Sequence, residues 1–198
     1  MARIIGITGG IASGKSTVTE FLRQQGYKVI DADQVVHELQ EPGERLYQAL
    51  LSTFGPAILQ EDGRLDRPKL GAMIFGNPEL LDQSSQIQNQ IIREELAHRR
   101  DLLAETEAVF FMDLPLLFEL QYEEWFNQIW LVDVTVETQL SRLMTRNALS
   151  QEEAEKRIAA QLSLQEKRKR ADVLIDNNGS LEATRQQIRD ALQKLERS

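Results

Sequence analysis

The chain has 198 residues, 41% hydrophobic and 27% charged, enough to bury well over half of its unfolded surface and far from disordered or collagen-like composition. Its net charge of −8 argues against a general nucleic-acid binder, because a phosphate backbone is met by an excess of Lys and Arg. With no cysteine there is no disulfide framework, thiolate metal site or cysteine nucleophile, and a cytoplasmic setting is expected. No window approaches the ~18 apolar residues of a membrane span, and no signal-peptide core is seen near Met1, so neither a membrane nor an obligate protein partner is expected.

The first element is an apolar run from Arg3 to Thr8, read as a buried strand. It leads into Gly9-x-x-x-x-Gly14-Lys15-Ser16 and then a helical stretch from Lys15 through Leu22. Lys28 to Asp31 gives a second strand. From about Val35 to Glu105 no strand candidate appears, only helical stretches and loops at Pro42-Gly43, Gly55-Pro56 and Asp62-Gly63. Within it, Asn77 and Pro78 read as N-cap and first helical residue, with Ile92, Leu96 and Leu103 following at helical spacing.

Strand candidates return at Ala108 to Met112 and Ile129 to Val134, with a weaker one at Val173 to Ile175. Each is nearly continuous in apolar residues, the pattern of parallel strands covered on both faces. Ser150 with Glu153 is a capping box. Ser180 precedes Leu181, Ile188, Leu192 and Leu195, an apolar stripe for a last helix. The alternation predicts a single α/β domain over 1–198, a three-layer sandwich around a parallel five-stranded sheet. A helical insertion over about 35–105 and a helical lid over about 137–170 are expected within it.

The glycine loop carries the chemistry. A strand before it and a helix after it are the context in which this spacing binds a nucleotide triphosphate, glycines letting the backbone wrap the phosphates. Lys15 would reach the β and γ phosphates and the Ser16 hydroxyl would bind Mg²⁺. No Asn-Lys-x-Asp string reads guanine, and Phe110-Phe111-Met112-Asp113 lacks the Glu expected of a motor ATPase after the Asp. Small-molecule kinases therefore lead.

In Ile30-Asp31-Ala32-Asp33 an extended segment would put both carboxylates on one face. One would take the proton of an attacking hydroxyl and the other, Asp31, would hold Mg²⁺ through water. The alternative is that Asp33 only caps a helix beginning at Gln34. Arg142 and Arg146 share a helical face and suit a cationic lid that neutralises a phosphoryl group in transfer. Lys167-Arg168-Lys169-Arg170 reads as a solvated helix face, and Asn177-Asn178-Gly179 as a turn where an adenine ring would rest.

These strings together, with LPLLFE at 114–119, Gln139 to Arg142, Ala160-Gln161 and the stretch from Ala171 to Ser180, resemble the dephospho-coenzyme A kinase family over nearly the whole chain. The resemblance implies transfer of the γ-phosphoryl group of ATP to the ribose 3′-hydroxyl of dephospho-CoA, the last step of CoA synthesis. It assigns Ala12, Ser13, Gly14, Lys15, Ser16 and Thr17 to the ATP phosphates, Asp33 to the base, and Arg142 and Arg146 to the lid. Asn177 to Gly179 would lie near adenine, Leu116, Leu117 and Glu119 would border the acceptor, and the insertion would be the CoA-binding arm. Where the family often has His-Pro this chain has Asn89-Gln90, followed by Ile91-Ile92 and the basic Arg93, which the resemblance would assign to the acceptor. Asp113 stands where the family tolerates an apolar residue and is not treated as essential. A nucleoside or nucleotide kinase of the same fold is the alternative, and a nucleotide-binding regulatory switch a more distant one.

Overall fold

The computed structural model describes residues 2–197. The chain divides into two compact units: one runs to Ile30 and resumes at Leu103, the other is Asp31–Leu102.

The first unit is built on strands β1 (Arg3–Gly9), β2 (Val29–Asp31, entering through Val29 and Ile30), β3 (Val109–Asp113), β4 (Gln128–Asp133) and β5 (Val173–Asp176). Their order is β2-β3-β1-β4-β5. β1 pairs in parallel with β3 and β4, and β4 with β5, giving the expected parallel sheet of five strands. The apolar runs are nearly continuous because both faces are covered.

Helices α1 (Lys15–Gln24) and α9 (Leu181–Arg197) supply Val18, Phe21, Leu22, Ile188, Leu192 and Leu195 to the cluster that buries Ile5, Ile7, Trp130 and Val132. Phe111 meets Trp130 edge-on at 5.3 Å between ring centroids. Leu131, next along β4, points to the opposite face and packs with Leu164 of α8 (Leu164–Arg170). Two further helices, α6 (Val136–Asn147) and α7 (Gln151–Ala159), lie between β4 and α8 in the chain. The Ser150–Glu153 capping box forms as its spacing predicts, Ser150 N donating to Glu153 Oε2 at 2.9 Å.

The second unit is helical: α2 (Ala32–Leu39), α3 (Arg45–Phe54), α4 (Arg67–Ile74) and the part of α5 (Pro78–Thr106) that runs to Leu102. Asn77 caps α5 through hydrogen bonds from Glu79 N and Leu80 N. Arg99 of α5 reaches Glu38 of α2 at 2.7 Å, and that hydrogen bond holds the Glu38 carboxyl below its usual range. A turn closed by an isolated antiparallel bridge between Leu59 and Leu65 separates α3 from α4.

Two expectations need correction. Helix α2 begins at Ala32, not Gln34, and its cap is Asp31, whose Oδ1 accepts from Gln34 N at 3.1 Å. Asp33 therefore lies in the first helical turn, and the alternation that would place Asp31 and Asp33 on one strand face does not apply. The basic tetrad is a solvated face at Arg168, Lys169 and Arg170 but not at Lys167. Lys167 is fully buried, its Nζ 2.9 Å from Glu119 Oε1 and donating to Pro115 O at 3.3 Å. Arg168 Nε donates to Asp133 at 2.7 Å, a bond that raises the guanidinium above its usual range. Arg170 pairs with Glu123 and covers the Phe118 ring.

Removing one partner of a buried pair leaves an uncompensated charge. Lys167→Ala should therefore lower unfolding free energy by about 3 kcal/mol in urea titration, whereas Lys169→Ala, at an exposed pair with Glu166, should change it by less than about 1 kcal/mol. Equal effects would place Lys167 among ordinary surface lysines.

Candidate active site

Between β1 and α1 the chain makes a loop whose shape is dictated residue by residue. Gly14 is the N-cap of α1 in the left-handed region, φ 87°, and offers no side-chain cap, so the first N–H groups of the helix stay available to an anion. A Cβ on Gly14 would stand 2.2 Å from Asn177 Nδ2, so the position excludes any side chain. Ala12 also has positive φ, 60°, a conformation that costs a non-glycine residue free energy and that surrounding contacts must enforce.

Those contacts come from distant elements. Gln161, after α7, accepts from Ile11 N through Oε1 at 2.9 Å, and Gln139 of α6 donates from Nε2 to Ile11 O at 2.8 Å. Asn177, after β5, donates to Ser13 O at 2.8 Å and is itself held by Thr184 Oγ1 at 2.9 Å. Arg142 Nη2 donates to Asn177 O at 2.9 Å, with Nη1 3.4 Å from Ser13 O.

A cleft of about 600 Å³ opens over this loop, within the range of small-ligand sites. It gathers Ala12, Gly14, Ser16 and Thr17 from the loop and α1, Arg142 and Arg146 from α6, and Asn177 and Gly179 from the turn after β5. Arg146 is exposed, and among the described residues its guanidinium bonds Asn147 alone, through Nε, leaving the Nη groups toward the cleft's solvent. Ser13 is buried, and its Oγ has no hydrogen-bond partner among the described residues. An excluded Cβ, a buried hydroxyl without a partner and backbone donors at a helix start are the features that a polyphosphate fits.

Lys15 Nζ lies 3.7 Å from Asp113 Oδ1, where the C-terminal end of β3 runs beside β1. Asp113 is buried and is a site candidate the sequence reading set aside. Its signal was there, an apolar strand ending in Asp, but Asp113 stands where the family tolerates an apolar residue and so was not treated as essential. Gln139 and Gln161 were visible only as parts of family strings.

The acceptor-side assignments fare differently. Leu116 is exposed, but Leu117 is fully buried, reaching toward Gly6, where a Cβ would stand 2.8 Å from Leu117 Cδ1. Leu117 therefore supports a wall instead of touching a ligand. Glu119 Oε1 accepts from Leu162 N at 3.0 Å and pairs with Lys167, so that oxygen is an internal brace, while Oε2 has no hydrogen-bond partner among the described residues. Asp31, Asp33 and Arg93 belong to the helical unit, Asp33 exposed on α2 and Arg93 exposed on α5.

The family model for dephospho-CoA kinase matches residues 3–183. A dephospho-CoA kinase of Streptococcus mutans is 59% identical over 196 residues, 99% of each chain. A solved structure from Thermus thermophilus matches with a TM-score of 0.82 at 36% identity, covering 98% of both chains. A dephospho-CoA kinase from Campylobacter jejuni matches with a TM-score of 0.75 at 30% identity, again over 98% of both. With a phosphate loop in the geometry that its sequence requires and a match spanning nearly every residue, the chain belongs to the dephospho-CoA kinase family.

Proposed function

We propose that the protein transfers the γ-phosphoryl group of ATP to the ribose 3′-hydroxyl of dephospho-CoA, giving CoA and ADP. The observation that carries this reading is the family match over nearly the whole chain, and the cleft over the phosphate loop supports its nucleotide half.

The backbone donors from Ala12 to Thr17 hold the ATP phosphates, Lys15 and Arg142 face the charge that builds on the transferred group, and Arg146 joins them. The turn at Asn177 and Gly179 receives the adenine. Because Gln139 and Arg142 fasten α6 to the loop and its neighbour Asn177, the moving part of the lid is α7, with Ala148 in the left-handed region ahead of it as the hinge. Asp33 accepts the proton of the 3′-hydroxyl as its oxygen bonds to the γ phosphorus and the bond to the ADP oxygen breaks. Leu116 and Arg93 serve the acceptor.

The oxygen donors near Lys15 suit Mg²⁺: the Ser16 hydroxyl, and the Asp113 carboxylate in place of Asp31, one of whose oxygens caps α2. When bound, the ion neutralises charge across the β and γ phosphates. No described helix is long and apolar enough to cross a membrane, and a small-molecule acceptor in the cytoplasm completes the reading.

The test is ADP release from Mg²⁺-ATP with dephospho-CoA, nucleosides or nucleoside monophosphates as acceptor. Dephospho-CoA should be the strong stimulator, and a response only to a nucleoside or nucleotide would reject the reading. Asp33→Asn should lower turnover by ~10² to 10⁴ while ATP binding holds; wild-type turnover would remove Asp33 from the mechanism. Lys15→Ala should lower kcat by on the order of 10² to 10³, and unchanged kinetics would reject its role in transfer.

A further inference from the structure

Within the helical unit a second concavity, about 290 Å³, lies where α2 and the loop after it meet the turn that leads into α4. His37, Glu41 and Pro42 form one wall, and Arg64, Leu65 and Arg67 another. Nothing in the phosphate-transfer site uses it.

The charges in this pocket are unevenly matched. Arg64 has its own counter-charge, since Asp62 Oδ2 is 3.9 Å from its Nε and Asp62 Oδ1 also accepts from Arg64 N at 3.0 Å. Arg67 has none: among the described residues its guanidinium meets no carboxylate, and its polar contact is Nη2 to His37 Nδ1 at 3.2 Å. Arginine only donates, so in this contact Nδ1 is the acceptor. Glu41 Oε1 lies 3.4 Å from the same Nδ1, but a nitrogen that accepts from Arg67 has no proton to give it. The pocket thus presents a permanent guanidinium that no carboxylate among the described residues pairs directly, with a fork that fits phosphate oxygens.

Its place on α2 selects the phosphate. Asp33 and His37 are four residues apart on that helix, so they share a face and are separated along the axis by roughly 6 Å. In dephospho-CoA the 3′-hydroxyl and the 5′-diphosphate leave the same ribose a few bonds apart, a span of the same order. An acceptor with its 3′-oxygen at Asp33 would carry its diphosphate about one helical turn along, toward Arg67.

We infer that this pocket is the subsite for the diphosphate of the acceptor, with Arg67 as its ligand, His37 orienting that guanidinium, and Glu41 as an opposing charge. The inference rests on the acceptor reading given above. It makes Arg67 a specificity determinant: an adenosine that bears a diphosphate is held there, and one without phosphate is not.

The experiment is calorimetric titration of the full chain with dephospho-CoA and, separately, with adenosine, the nucleotide cleft being filled with a non-hydrolysable ATP analogue. Arg67→Ala should weaken dephospho-CoA on the order of 10- to 100-fold, leaving adenosine and the ATP analogue unchanged. Arg67→Lys, which keeps the charge without the fork, should fall between. Glu41→Gln should tighten dephospho-CoA by a few-fold, a gain that disrupted packing does not produce and that stands even where Arg67→Ala fails to fold. Equal weakening of adenosine and dephospho-CoA would make Arg67 structural, and wild-type affinity in Arg67→Ala would exclude the pocket; either overturns the inference while leaving the kinase reading intact. Failure of the wild-type chain to bind or phosphorylate dephospho-CoA would overturn both.

Discussion

Everything in the nucleotide half depends on one short stretch of backbone being held open from outside. Ile11 is fastened at its N–H by Gln161 and at its carbonyl by Gln139. Ser13 O is fastened by Asn177 and approached by Arg142. Bound on that side, the loop cannot collapse onto its own donors, and the start of α1 is left facing the cleft. Dipoles fixed before a ligand arrives need no reorganisation when charge develops, which is why such sites favour phosphoryl transfer. The braces come from α6, from the link between α7 and α8, and from the turn after β5. A loop near the start of the chain therefore acquires its shape only when the last third has folded.

The same economy appears on the other side of the sheet. Lys167 is buried to join α8 to the segment after β3, accepting the desolvation of an ammonium in exchange for Glu119 and a backbone carbonyl. Leu162 N, next to the Gln161 that holds the loop, bonds the same carboxylate. Lys167 thus belongs to the frame that supports the phosphate loop, and Glu119 is one of its joints.

Much of this could be read from residue order, and for physical reasons. Continuous apolar runs mark strands covered on two faces, and the runs at Arg3, Ala108, Ile129 and Val173 became β1, β3, β4 and β5 with no end shifted by more than one residue. Caps are local, so Asn77 and the Ser150–Glu153 box were legible as written. The glycine loop was legible because its spacing is a backbone requirement. What failed depended on partners far away in the chain. Lys167 reads as a surface lysine until Glu119, 48 positions earlier in the sequence, is placed against it. Gln139 and Gln161 carry no local sign of a partner at Ile11, and Asp113 needed Lys15 beside it. The Asp31–Asp33 error was of another kind: a strand of three residues gave way to a helix two residues sooner than the alternation assumed.

One unit carries the phosphate loop and the cleft over it, and the other is helical with Asp33 exposed on α2. The claim on which the rest stands is that the loop backbone, fixed at Gly14 against Asn177, forms the phosphate site. Calorimetric titration of ATP into Gly14→Ala tests it most directly, because the added Cβ must displace Asn177 and enter a left-handed conformation. The account predicts an ATP affinity reduced by on the order of 10²-fold in a chain that still unfolds cooperatively; wild-type affinity in that variant would contradict it.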